Sequence, residues 1–216
     1  MIEAVAFDLD GVLIQSEEVW DELRGGYVRE RGGRWDAEVQ RAVMGMSSSE
    51  WSRFLHDEAG VPEAPEAING EIVRLMLEAF RKRLPLVDGA VEAVQRLADR
   101  YRLALASSSN RVLIDAVLDL AGLTEYFQAT VSSEEVAHGK PAPDVYLAAA
   151  RGLGVAPDRC VSVEDSAAGI RSAHAAGTAV VAIPNRAYPP DDEAVGLAAV
   201  VLDSLADLDA RVVAGA

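Results

Sequence analysis

Short apolar runs recur along the chain, separated by longer stretches whose apolar positions repeat at helical spacing. Ala4–Phe7, preceded by Ile2, Arg102–Ala106, Cys160–Glu164 and Ala179–Ile183 read as strands buried on both faces. Ala199–Leu202 is a weaker strand, placed at an edge. Between these runs, periodic segments predict helices from about Ala90 to Asp99, from Asn110 to Gly122, from Pro141 to Gly152 and from Ser166 to Gly177. Alternating strand and helix signals imply a mostly parallel sheet covered by helices on both faces. In such sheets ligands gather at the carboxyl ends of the strands.

The stretch from about Ser16 to Leu84 breaks this rhythm. It holds no convincing strand but four helical segments: Glu17–Arg29, Ala37–Val43, Ser49–Glu58 and Pro65–Arg83, punctuated by Gly32-Gly33 and Val61-Pro62. The expected architecture is therefore α/β. A Rossmann-like, mostly parallel sheet core (residues 1–15 and 85–216) carries an inserted all-helical domain (residues 16–84).

Charge narrows the possible partners. The 216 residues carry 20 Lys and Arg against 35 Asp and Glu, a net charge of −15. That balance excludes nucleic acid and anionic membranes, which are bound through excess cations. An anionic substrate would be repelled at long range, so its recognition has to be local: a metal ion, a particular lysine or oriented N–H groups. No apolar run is long enough to span a bilayer, and the chain opens on a strand rather than a signal-peptide pattern. One cysteine, Cys160, allows no internal disulfide, and with these features it predicts a cytoplasmic protein, monomer or dimer.

Polar residues of particular kinds stand at the strand ends. The first strand runs into Asp8-Leu9-Asp10-Gly11, the second into Ser107-Ser108-Ser109-Asn110, and the third closes on Glu164-Asp165-Ser166. Lys140, in "HGKPAPD", precedes a helix start. Each feature alone has an ordinary explanation: a turn, a helix N-terminus, a solvated lysine. Together they place two acidic groups, a hydroxyl cluster and an ammonium on one rim. His56, His138 and His174 lack metal-ligand spacing, and Trp20, Trp35 and Trp51 all fall in the helical insert.

"DLDGVL", the serine closing "LALAS", the lysine of "GKPAPD" and the acidic pair of "VEDSAAGI" resemble, in order, the four motifs of the haloacid dehalogenase-like superfamily. With its helical insert, the chain is similar to the beta-phosphoglucomutase-like and phosphoglycolate phosphatase-like branch, whose insert is a C1 cap. The resemblance implies a Mg²⁺-dependent enzyme acting on a small phosphorylated metabolite, with sugar phosphates the leading class. Asp8 would be the nucleophile that forms an aspartyl-phosphate, and Asp10 the acid and base. Strand alternation would send both side chains to one side. Ser107, Ser108 and Lys140 would hold phosphoryl oxygens. Asp8, the Asp10 carbonyl and Asp165 would coordinate Mg²⁺, with Glu164 a weaker ligand.

The same resemblance separates reactions. Asp10 disfavours dehalogenation, whose catalysts lack an aspartate there. Mutases of this branch carry an arginine for the non-transferred phosphate near "GMSSSE" (Gly45 to Glu50), where this chain has Ser48, and a histidine where it has Trp20. A hydroxyl cannot reproduce a guanidinium clamp. Trp20, Gly45, Ser48 and Arg53 are thus the expected specificity positions of the cap. A phosphatase is expected, with a sugar-phosphate mutase as the alternative and a non-catalytic binding protein as a third reading.

Overall fold

Ala4–Phe7 forms β1, all four residues buried, near the middle of the sheet. The computed structural model describes the whole chain, Met1–Ala216. The remaining strands are β2 (Arg102–Ser107), β3 (Phe127–Ser132), β4 (Cys160–Glu164), β5 (Ala179–Ala182) and β6 (Val200–Val201). They run in the order β3-β2-β1-β4-β5-β6, every neighbouring pair parallel. Because side chains alternate along a strand, each run feeds two cores. Val5, Phe7, Leu103, Leu105 and Val163 enter one cluster, while Ala4, Ala6, Ala104, Ala106 and Ala182 enter the other. The second face is built from small residues, which lets its helices approach closely.

Five helices lie between β1 and β2 without a strand among them, and the first four form the insert: α1 (Glu17–Glu30), α2 (Ala37–Val43), α3 (Ser48–Asp57) and α4 (Pro65–Lys82). Asp36 caps α2 by accepting from the N–H groups of Glu38 and Val39, and Ser47 with Glu50 forms a capping box on α3. Apolar residues of these helices, among them Trp51, Leu55, Ile72 and Met76, continue the larger core cluster. The two chain crossings between insert and sheet are paired. Ile14 bridges Leu86 antiparallel, Gln15 N–H donates to Pro85 O (2.7 Å), and Val87 N–H donates to Leu13 O (3.0 Å).

The other helices are α5 (Ala90–Ala98), α6 (Arg111–Ala121), α7 (Asp144–Leu153), α8 (Ala167–Ala175), α9 (Asp192–Val195) and α10 (Ala210–Gly215). Two details differ from the sequence reading. β3, with the sequence FQATVS, was not anticipated: its polar alternation belongs to an edge strand with one face less buried. α7 starts at Asp144 rather than Pro141, because Pro143 disfavours helical backbone at Ala142 before it. It runs through Gly152 to a left-handed Gly154, and a Cβ at Gly152 would press on Ala129. α10 buries Val213 against the core.

Candidate active site

β1 closes at Phe7, so Asp8 to Gly11 form a turn beyond it rather than the strand positions expected from alternation. Asp8 N–H still donates to Val163 O (3.0 Å), which holds the residue against β4. Gly11 has φ +83°, and a Cβ there would collide with the Asp165 carboxylate. Both facts require glycine at the turn.

Asp8, Lys140, Glu164 and Asp165 converge at the carboxyl ends of β1 and β4, all of them buried. Lys140 Nζ lies 2.9 Å from Asp8 Oδ1 and 2.6 Å from Glu164 Oε1. Tyr146 OH donates to the same Glu164 oxygen (2.7 Å). Glu164 Oε2 accepts from the backbone N–H of Asp165 (3.1 Å) and from Ser166. Gly169 leaves room for this carboxylate, since a Cβ would strike it. Asp165 Oδ2 accepts from Asn185 Nδ2 (3.2 Å), which also donates to Glu17 (2.8 Å).

The cluster is short of positive charge. Oxygens of Asp8, Glu164 and Asp165 lie within 4.8 Å of one another, and a single ammonium faces them. Burial, with repulsion from Glu164, pushes the Asp8 carboxyl from the ordinary 3.8 to about 8 despite Lys140. Burial likewise drives Asp165 well above the carboxylate range, aided by Glu164 and Asp8. Burial works against the Lys140 ammonium, but Asp8 and Glu164 outweigh it and raise its pKa. An all-oxygen donor set around excess negative charge suits a hard divalent cation. Glu164 has both oxygens engaged, whereas Asp8 and Asp165 each keep one without a hydrogen bond.

A stability trend follows. Between about pH 4, where an unfolded aspartate titrates, and about pH 8, where Asp8 does, the folded chain binds more protons than the unfolded one. Its stability therefore falls as pH rises through that window. In chelator, the urea midpoint should drop from about pH 5 to about pH 8, and Mg²⁺ should restore it at the upper end. A midpoint that rises with pH in chelator would contradict this account.

Asp10 sits apart from the buried cluster and is half-buried. Ser109 Oγ donates to Oδ2 (2.6 Å), while Ser16 Oγ and Trp20 Nε1 (3.4 Å) donate to Oδ1. Ser109 follows β2, whereas Ser16 and Trp20 belong to the start of the insert, so both bodies orient this carboxylate.

A cavity of about 160 Å³ opens over these groups. Asp8, Asp10, Ser108, Lys140 and Asp165 line it from the sheet side, Trp20 and Gly45 from the insert. Ser107 lies beneath the wall, fully buried, with its oxygen accepting Ser109 N–H (3.0 Å). Glu164 also stays behind the wall. Ser48 and Arg53 are not on it. Ser48 donates to Glu134 (3.1 Å), an acceptor shared with Asn110 (2.7 Å), and thereby ties α3 to the loop after β3. Arg53 lines neighbouring surface clefts instead.

Several wall residues went unnoticed in the sequence. Arg24 is four residues from Trp20, and helical spacing alone puts them on one face. Trp35 and Trp51 join Trp20 on the wall. Asn185 lies in a polar loop, and Tyr146 carries no sequence signal for its role. Cys160 is buried in β4 with its thiol pushed up to about 11 by burial, which does not suit a nucleophile.

Haloacid dehalogenase-like hydrolases match residues 2–177 of the chain. The chain is 33% identical over 178 residues to fructose-1-phosphate phosphatase YqaB of Escherichia coli (strain K12), covering 79% of this chain and 90% of that protein. It is 31% identical over 206 residues to the bifunctional riboflavin kinase/FMN phosphatase of Arabidopsis thaliana, covering 94% of this chain. It spans only 54% of that longer protein. Among solved structures, CbbY from Rhodobacter sphaeroides in complex with phosphate superposes with a TM-score of 0.84 at 28% identity, covering 96% of both chains. The motif residues, the parallel sheet and these matches agree: the chain belongs to the haloacid dehalogenase-like hydrolases.

Proposed function

We propose that the protein is a Mg²⁺-dependent phosphatase that hydrolyses a small phosphorylated metabolite through an aspartyl-phosphate on Asp8. The observation that carries this reading is the pairing of two unlike carboxylates at one cavity. Asp8 is buried against an ammonium, whereas Asp10 is half-exposed and held by three donors. Asp8 attacks phosphorus while the ester P–O bond breaks, and Asp10 gives its proton to the departing oxygen. Asp10 then takes a proton from the water that cleaves the acyl phosphate. Lys140 and Ser108 hold phosphoryl oxygens, and Ser107 keeps its hydroxyl proton to donate while its oxygen accepts Ser109 N–H. Glu164 positions Lys140 and Tyr146. A hard dication bound by Asp8, Asp165 and the Asp10 carbonyl would neutralise phosphoryl charge and keep Asp8 ionised.

The cavity supports a small substrate: its volume is below the roughly 300–1,000 Å³ usual for drug-sized ligands. A relative that acts on fructose 1-phosphate favours phosphorylated sugars and similar polyols. Ser48 bears on the mutase alternative, because it is spent on Glu134 and offers nothing to a second phosphate. The insert would act as the lid that excludes bulk water.

Phosphate release from a panel of small esters tests the reading. Release should occur with Mg²⁺, fall to background in EDTA and return on adding Mg²⁺. Interconversion of sugar 1- and 6-phosphates without free phosphate would instead establish the mutase.

A further inference from the structure

Arg24 is a charged group that this chemistry leaves unused. It lies on α1, only 8% exposed. Its guanidinium carbon is 4.2 Å from the ring centroid of Trp20 and 4.7 Å from that of Trp51. Two indoles, themselves 6.0 Å apart, thus flank the cation from adjacent sides. They leave its N–H donors unmet. Nε is buried without a hydrogen-bond partner, and neither terminal nitrogen makes a hydrogen bond or ion pair within the chain. Unmet buried donors are costly, and native structures rarely keep them without a reason.

Arg24 is part of the cavity wall. The other wall cation, Lys140, is already committed to Asp8 and Glu164. Asp10 and Asp21 attract the guanidinium from a distance, but neither accepts a hydrogen bond from it. Burial lowers its pKa to about 9, so it stays cationic at neutral pH. The result is a charged fork, wedged against two indoles, with free donors beside a substrate-sized space.

We propose that Arg24 binds a second oxyanion of the substrate, a carboxylate or phosphate group remote from the ester that is cleaved. This rests on the phosphatase reading and narrows it: among phosphorylated sugars and related metabolites, those with a second anionic group, sugar bisphosphates or phosphorylated sugar acids, are preferred to neutral-ended monoesters. A planar fork receives two oxygens of either group, and stacking removes most of the ordering cost. It also answers the charge problem of the surface. A doubly anionic ligand repelled by a net charge of −15 needs a local cation beyond Lys140, and Arg24 supplies it.

The test uses matched ester pairs. 2-Phosphoglycolate against 2-hydroxyethyl phosphate reads a carboxylate, and 1,3-propanediol bisphosphate against 3-hydroxypropyl phosphate reads a phosphate. In the unaltered protein, at least one doubly anionic member should exceed its neutral-ended partner in kcat/KM by about 10- to 100-fold. Arg24→Met should bring that ratio close to one, and Arg24→Lys should retain part of it. Equal kcat/KM within both pairs in the unaltered protein would overturn the proposal, and so would a ratio that survives Arg24→Met. If no ester is cleaved, the phosphatase reading falls, and binding decides separately. Titration of tryptophan emission with 2-phosphoglycolate should then show an affinity weakened about tenfold in Arg24→Met relative to the unaltered protein. Equal affinities would overturn the proposal.

Discussion

Asp8→Asn is expected to cut phosphate release by about 10⁴-fold or more, while the protein stays folded. The amide has the carboxylate's shape and can still accept from Lys140 through its oxygen. It cannot form an acyl phosphate. Without metal near neutral pH, the Asp8 carboxyl, raised to about 8, is largely protonated already, so the neutral amide replaces a nearly neutral group. In chelator near neutral pH the variant should therefore melt no lower than the parent. Steady-state phosphate release with calorimetry alongside separates the two effects. Full activity in the variant would remove Asp8 as the nucleophile.

Lys140→Met should be the most damaging single change to stability. The ammonium is 3% exposed and pairs with Asp8 and Glu164, the latter completely buried. Removing one partner of a buried ionic cluster typically costs about 3–5 kcal/mol, because the remaining charges stay desolvated. The loss should be largest near pH 8 and smaller near pH 5, where Asp8 is protonated. Urea denaturation at the two values measures this. The double variant with Glu164→Gln should recover part of the loss, since it removes the charge left alone. A loss of equal size at both pH values would show that packing, not charge, dominates at Lys140.

The strands that mattered most for the site were readable because they are buried on both faces. Ala4–Phe7 and Leu103–Ala106 are unbroken apolar runs, Cys160–Val163 is broken only by Ser162, and polar residues begin at their carboxyl ends. β3 was not readable in this way, since Gln128 and Thr130 give an edge strand the look of a loop. Helix ends followed glycine closely at Gly122 and Gly177, whose φ values are +67° and +82°. At α7 two prolines moved the start by three residues. Within the site, residues near a motif were legible and residues brought in by packing were not. Asn185 reaches Asp165 across 20 positions and Glu17 across 168, a relation that no local pattern encodes. Ser48 shows the converse. Its position near "GMSSSE" suggested contact with a ligand, but packing turned it toward Glu134.

The paired crossing at Ile14 and Leu86 limits how the insert can move. A helical body on two independent tethers could translate, tilt and swivel. Here the tethers are locked side by side by Gln15 N–H to Pro85 O and Val87 N–H to Leu13 O. That leaves essentially one soft coordinate, a swing about the short bridge. A lid so tethered would carry Trp20 and Arg24 back to the same places on the cavity wall at each closure. Two backbone hydrogen bonds at Leu13 and Gln15, five to seven residues before Trp20, would thus remove much of the entropy of finding the closed arrangement.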